Sequence, residues 1–146
     1  MKRIKKKLIV LVFICFGLSS NAQWTDMITP SIYHLYSIET VTEDIVYAGG
    51  YGGAFIKTTD SGDNWESLSI GSDNWVQKIH FTDADNGWIV TTSGTADENG
   101  DIMYTNNGGL SWTSVQSDYS YSSMHWVDED NCYVGTWDGD IVPSSN

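Results

Sequence analysis

After its first seven residues the chain has almost no cations. Lys57 and Lys78 are the only two beyond Lys7, and Arg3 is the only arginine. Nineteen Asp and Glu stand against them, so residues 8–146 carry a net charge of −17. That deficit argues against DNA or RNA as a partner, because phosphate contacts need clustered Lys and Arg. Attraction to anionic lipid fails on the same ground. Long apolar runs are also missing: Leu8–Leu18 spans 11 residues, where a bilayer needs roughly 20. Proline is scarce at two residues, while hydrophobic residues reach 40% and aromatic residues 13%, a balance that argues against disorder. Of two cysteines, Cys15 lies in the apolar run and Cys132 stands alone, so no disulfide is expected and Cys132 reads as a small hydrophobe on a strand.

Residues 1–22 read as a cleavable signal peptide. Met1–Lys7 is basic, Leu8–Leu18 is apolar, and Ser20-Asn21-Ala22 places small residues for a cut before Gln23. A secreted, periplasmic or cell-surface location is therefore expected, with no membrane attachment after cleavage.

The remaining chain repeats itself. Gly53-Ala54-Phe55-Ile56-Lys57-Thr58-Thr59-Asp60, Gly100-Asp101-Ile102-Met103-Tyr104-Thr105-Asn106-Asn107 and Gly139-Asp140-Ile141-Val142-Pro143-Ser144-Ser145-Asn146 align without gaps. The first two run on to Gly62 and Trp65, and to Gly109 and Trp112, each giving Thr-x-Asp/Asn-x-Gly-x-x-Trp. The third begins the same box at Ser144 and Asn146. Upstream, Ile38–Val41, Ile79–Thr82 and Met124–Val127 each lead into an acidic turn. A second short strand follows, and the sequence alignment sets Val46, Trp88 and Cys132 at its start. Trp65–Leu68 and Trp112–Val115 follow the two complete boxes, and Trp24–Met27 has the same spelling. Strands of four to six residues, β-branched and aromatic, separated by Gly, Asp, Asn and Ser turns, predict an all-β chain. Four strands per unit and a spacing near 40–50 residues predict a partial β-propeller of antiparallel blades, two complete and a third incomplete.

The box resembles the Asp-box, or bacterial neuraminidase repeat, of sialidase-like propellers. The whole unit, with FTDADNGWIV before IMYTNNGGLSW, is more similar to photosystem II stability/assembly-factor repeats, which are widespread in exported bacterial proteins. The resemblance covers Trp24–Asn146 and implies the propeller fold. Sialidases hold the substrate carboxylate with three arginines, which this chain lacks. The resemblance therefore implies a non-enzymatic module that scaffolds or recognises a protein or glycan. The alternative is the N-terminal fragment of a secreted sialidase-fold glycoside hydrolase, with catalytic residues in further blades. Those blades are expected in cis or by association, and Trp24–Met27 reads as a fourth strand completing the last blade of a closed ring.

No catalytic residue is nominated. Asp60 carries an acid beside Trp65, but Asn107 and Asn146 replace it in the other copies. A general acid does not survive that exchange, whereas an acceptor of backbone hydrogen bonds does. The box residues Thr58, Asp60, Gly62, Trp65, Thr105, Asn107, Gly109, Trp112, Ser144 and Asn146 are thus expected to be structural. The opposite end of the blades is the expected ligand face, with Tyr51, Trp75, Asp97, Glu98, Asp101, Tyr119 and Trp137 as its candidates, and Asp73 and Asp138 beside them. Aromatic rings with nearby carboxylates suit sugar rings and their hydroxyls. No His/Cys cluster has zinc spacing, and Asp83-x-Asp85-x-Gly87 lacks a full calcium loop, so no metal or cofactor is expected.

Overall fold

The computed structural model describes residues 24–94, 99–128 and 130–144. The leader and its cleavage point lie outside these residues, as do Asp97, Glu98 and Asn146. Three antiparallel sheets follow one another along the chain. The first is β1 (Leu35–Thr40), β2 (Val46–Gly50), β3 (Phe55–Thr58) and β4 (Glu66–Leu68). The second is β5 (Trp75–Phe81), β6 (Gly87–Thr92), β7 (Ile102–Thr105) and β8 (Thr113–Gln116). The third is β9 (Tyr121–Trp126), β10 (Cys132–Thr136) and β11 (Ile141–Pro143). Every strand pairs only with its sequence neighbours, so each sheet is an up-and-down meander. A single 3-10 turn at Tyr51–Gly53 joins β2 to β3. The first strands lie side by side, β1 against β5 and β5 against β9, and form the inner edge.

The strands form where β-branched and aromatic residues cluster, and they stop at Asx and hydroxyl turns. Asp83 Oδ1 accepts from the backbone N–H of Asp85 and Asn86, both at 2.8 Å. Asp128 Oδ1 repeats this with Asp130 and Asn131 at 3.0 and 2.9 Å. In the first sheet Thr42 Oγ1 takes that role, accepting from Asp44 and Ile45.

Pairing fixes how the sheets correspond. Thr40, Phe81 and Trp126 lie opposite Val46, Gly87 and Cys132. Tyr47, Trp88 and Tyr133 are therefore equivalent, one residue away from the alignment drawn on sequence, which set Trp88 beside Val46 and Cys132. Gly87, read from sequence as the end of a turn, is the first residue of β6. A Cβ there would come within 2.5 Å of the Phe81 ring, so the missing side chain makes room for that ring. A slip of one residue moves a side chain to the other face of its strand.

With the correct register the packing repeats. Tyr47 stacks on Phe81 with ring centroids 4.0 Å apart and planes 4° apart, and Trp88 meets Trp126 at 5.5 Å. Around the first pair Phe55, Val76, Ile79, Ile89 and Met103 close a core between sheets one and two. Around the second, Val90, Ile102, Tyr121, Met124, Cys132 and Val134 close a core between sheets two and three. Burial of each large side chain contributes about 1.5–3 kcal/mol. Polar links cross the same seams: the Ile79 N–H donates to Ser37 Oγ at 3.1 Å, and Tyr47 Oη donates to the Gly108 carbonyl at 3.1 Å. His80 Nδ1 lies 3.3 Å from Glu39 Oε1 while its ring stacks on Trp126 at 5.6 Å. Trp24–Met27, expected as a strand, pairs with none among the described residues.

Candidate functional site

The two complete boxes build the same turn. Gly62 and Gly109 donate their N–H to Thr58 Oγ1 and Thr105 Oγ1, each at 3.0 Å. The same hydroxyls donate to Asp60 Oδ1 at 2.8 Å and to Asn107 Oδ1 at 2.9 Å. Those oxygens in turn accept the N–H of Asn64 at 2.8 Å and of Ser111 at 3.0 Å. Gly62 and Gly109 sit at φ +95 and +84, the left-handed region that favours glycine. The turn then ties back to the acidic turn of its own sheet, as Ser61 N–H donates to the Asp44 carbonyl and Gly108 N–H to that of Asp85. Trp112 leaves its turn to lie edge-on to Phe55 at 5.4 Å and Phe81 at 6.2 Å, sealing the first core.

Side chains compensate for the change of acid to amide. Asn64 Nδ2 donates to Asp60 Oδ2 at 2.7 Å, whereas in the second box Asn107 Nδ2 donates to Ser111 Oγ at 2.8 Å. Asn64, through side chain and backbone, holds the exposed Asp60 carboxyl below its ordinary value. A carboxylate so held is a poor proton donor. Ser144 departs from this pattern: its Oγ accepts from the Cys132 N–H at 2.8 Å and donates to the Asp130 carbonyl at 3.2 Å.

The other end of the sheets carries an aromatic groove of about 430 Å³ between the first two sheets. Tyr51, on the β2–β3 turn, lies 4.6 Å from Trp75 at the start of β5, and 5.8 Å from Tyr33. Asp73, Asn74 and Ser93 supply its polar wall. The loops are held close here: a Cβ on Gly53 would meet the Ser72 carbonyl oxygen at 2.3 Å, and Gly53 has φ +71. Asp101 serves as a brace, accepting from Asn74 Nδ2 at 3.1 Å and Ser114 Oγ at 2.7 Å. Among the described residues no three His, Cys, Asp or Glu approach closely enough to hold a metal ion. The Cys132 thiol is buried, which pushes its pKa up.

No family model matches the chain, and no curated protein matches it significantly. Solved structures do. YCF48 bound to D1 peptide superposes with a TM-score of 0.69 at 20% identity, over 85% of this chain and 40% of that one. YCF48 from Cyanidioschyzon merolae gives 0.67 at 16%, over 84% and 40%. The fold is a partial β-propeller. YCF48 is a photosystem II assembly factor, so the expected likeness to that class of repeat is borne out in the fold. The chain spans about 40% of the length of each of these two proteins.

The three sheets are thus blades, and blade equivalence orders the candidates. Tyr51 N–H donates to the His34 carbonyl and Trp137 N–H to the Ser120 carbonyl, both at 2.9 Å. Tyr33 and Tyr51 in blade 1 therefore correspond to Tyr119 and Trp137 in blade 3. Tyr119 packs edge-on to Tyr121 at 6.2 Å, and Trp137 is exposed. Tyr51 and Trp75 share the groove, Tyr119 and Trp137 lie at the same end in blade 3, and Asp101 is used internally. Sequence reasoning missed Tyr33. Its signal was there, because it stands one residue before the partner of Tyr51 just as Tyr119 stands before that of Trp137.

Proposed function

We propose that this chain is an exported, non-enzymatic β-propeller module that recognises a protein or glycan partner at the loop end of its blades. The observation that carries the reading is the Tyr33–Tyr51–Trp75 groove with Asp73 and Asn74 on its wall. Exposed rings beside amide and carboxylate groups suit an extended peptide or a sugar ring alike. A YCF48 propeller solved with D1 peptide supports the protein alternative by analogy of fold. The non-enzymatic reading is supported by the absence of arginine after Arg3 and by the use of Asp60, Asp83 and Asp128 within their own turns. Export is supported by the basic and apolar leader at residues 1–22.

A glycan array and a peptide array probed with the purified chain test this. The expected outcome is a hit on one array that falls at least tenfold with Tyr51→Ala while the melting temperature is kept. Silence on both arrays, hits indifferent to Tyr51, or turnover of a hit glycan contradicts the reading.

A further inference from the structure

The described loops at the groove end of the blades carry charge of one sign. Asp73, Asp101, Asp118, Asp138 and Asp140 stand on the loops that join β4 to β5, β6 to β7, β8 to β9 and β10 to β11, and no described Lys or Arg stands on any of them. His34, just before β1, is the one basic side chain described at this end. The two described lysines lie elsewhere. Lys57 Nζ donates to the Gly108 carbonyl at 3.4 Å beside the second box and lies 5.2 Å from the centre of the Tyr47 ring. Lys78 is exposed midway along β5 and forms no ion pair among the described residues.

Inside the groove the polar groups are committed to different degrees. Asn74 Nδ2 donates to Asp101 Oδ2 at 3.1 Å, and Ser93 has a partner of its own. Asp73 is exposed, lines the groove with Tyr51 and Trp75, and has no ion pair among the described residues. A sugar ring needs several convergent donors and acceptors for its hydroxyls, whereas a carboxylate only accepts. The rings suit a different guest. Tyr51 and Trp75 are tilted by 35°, Tyr33 is tilted to Tyr51 by 39°, and Tyr36 flanks Trp75 at 6.3 Å. The face of an aromatic ring is negative and attracts an ammonium or guanidinium group, as Tyr47 holds Lys57 at the other end of the blade. The net −17 of residues 8–146 draws cations toward the same end.

We infer that the groove takes an arginine or lysine side chain of an extended basic peptide. The cationic group lies among Tyr33, Tyr51 and Trp75 and pairs with Asp73. The inference rests on the reading of this groove as the recognition site, and it names both the class of partner and the sign of its charge.

Fluorescence anisotropy on the full chain, with a labelled Gly/Ser peptide bearing a central arginine, tests it beside counterparts with citrulline or glutamate in that place. Citrulline keeps the size of the side chain and loses its charge. The arginine peptide is expected to bind about tenfold more tightly than either counterpart, and less tightly as salt is raised. Asp73→Asn and Tyr51→Leu are each expected to weaken it about threefold at an unchanged melting temperature. Asp63→Asn, which removes an exposed carboxylate in the first box at the opposite end, is expected to leave binding as it was. Equal losses at Asp63 and Asp73 show diffuse attraction to an acidic surface and overturn the proposal. Equal binding of the arginine and citrulline peptides, or a glycan or acidic peptide as the Tyr51-dependent hit on the arrays, overturns it while leaving the groove as the recognition site. Silence on both arrays removes the groove itself, and the proposal with it.

Discussion

Asp60 and Asn107 fill the same place in two turns, and each accepts a backbone N–H and a hydroxyl there. Only Asp60 titrates. Hydrogen bonds from Asn64 lower its pKa, as those from Asn86 lower that of Asp83 and those from Asn131 that of Asp128. A carboxyl whose folded pKa is depressed contributes stability above its unfolded value, and that contribution is lost as pH falls through the folded value. The three turns therefore stabilise the fold at neutral pH and weaken below the ordinary value of 3.8. Asp60→Asn is expected to lower the melting temperature slightly at pH 7 and to reduce its fall between pH 4 and pH 2, as followed by circular dichroism melts. A steeper acid dependence in the variant contradicts this account of the box.

Strands and turns were legible to different degrees, for physical reasons. The third strands and the box turns were plain, because Gly-x-Ile/Phe and Thr-x-Asp/Asn-x-Gly state both a strand and its stop. The first strands begin up to four residues earlier than the apolar runs at Ile38, Ile79 and Met124 suggested. Their leading residues do not alternate cleanly, because Tyr36 and Gln77 are skipped in the pairing at register shifts between Leu35 and Ser37 and between Val76 and Lys78. β6 was misaligned because glycine at position 87 reads as a turn when its neighbours are Asn86 and Trp88. The Phe81 ring that explains Gly87 comes from another strand, and no local pattern shows it. Phe81 also carries the stack on Tyr47 and an edge contact with Trp112. Phe81→Ala is expected to cost about 3–5 kcal/mol in a urea titration; a loss below about 1 kcal/mol is incompatible with the interlock described.

At the scale of the molecule, blades 1 and 2 each project an aromatic residue of the second strand, Tyr47 and Trp88, onto the first strand of the next. The repeat in the sequence pointed to blades, and blades imply a shared axis. The candidate face was legible only in part: Tyr51, Trp75, Tyr119 and Trp137 lie at the loop end as expected, and Tyr33 emerged only once blade equivalence was known. Asp101 looked free in sequence because its partners, Asn74 and Ser114, are 27 and 13 residues away. The seams are the central claim, since they turn three small sheets into one body. Nuclear Overhauser contacts between aromatic rings test them directly. The account predicts cross-peaks between Tyr47 and Phe81 and, one blade on, between Trp88 and Trp126. If Trp88 instead shares cross-peaks with the Tyr47 side of the first core, or if neither pair is seen in a folded sample, the blades do not stack in this order.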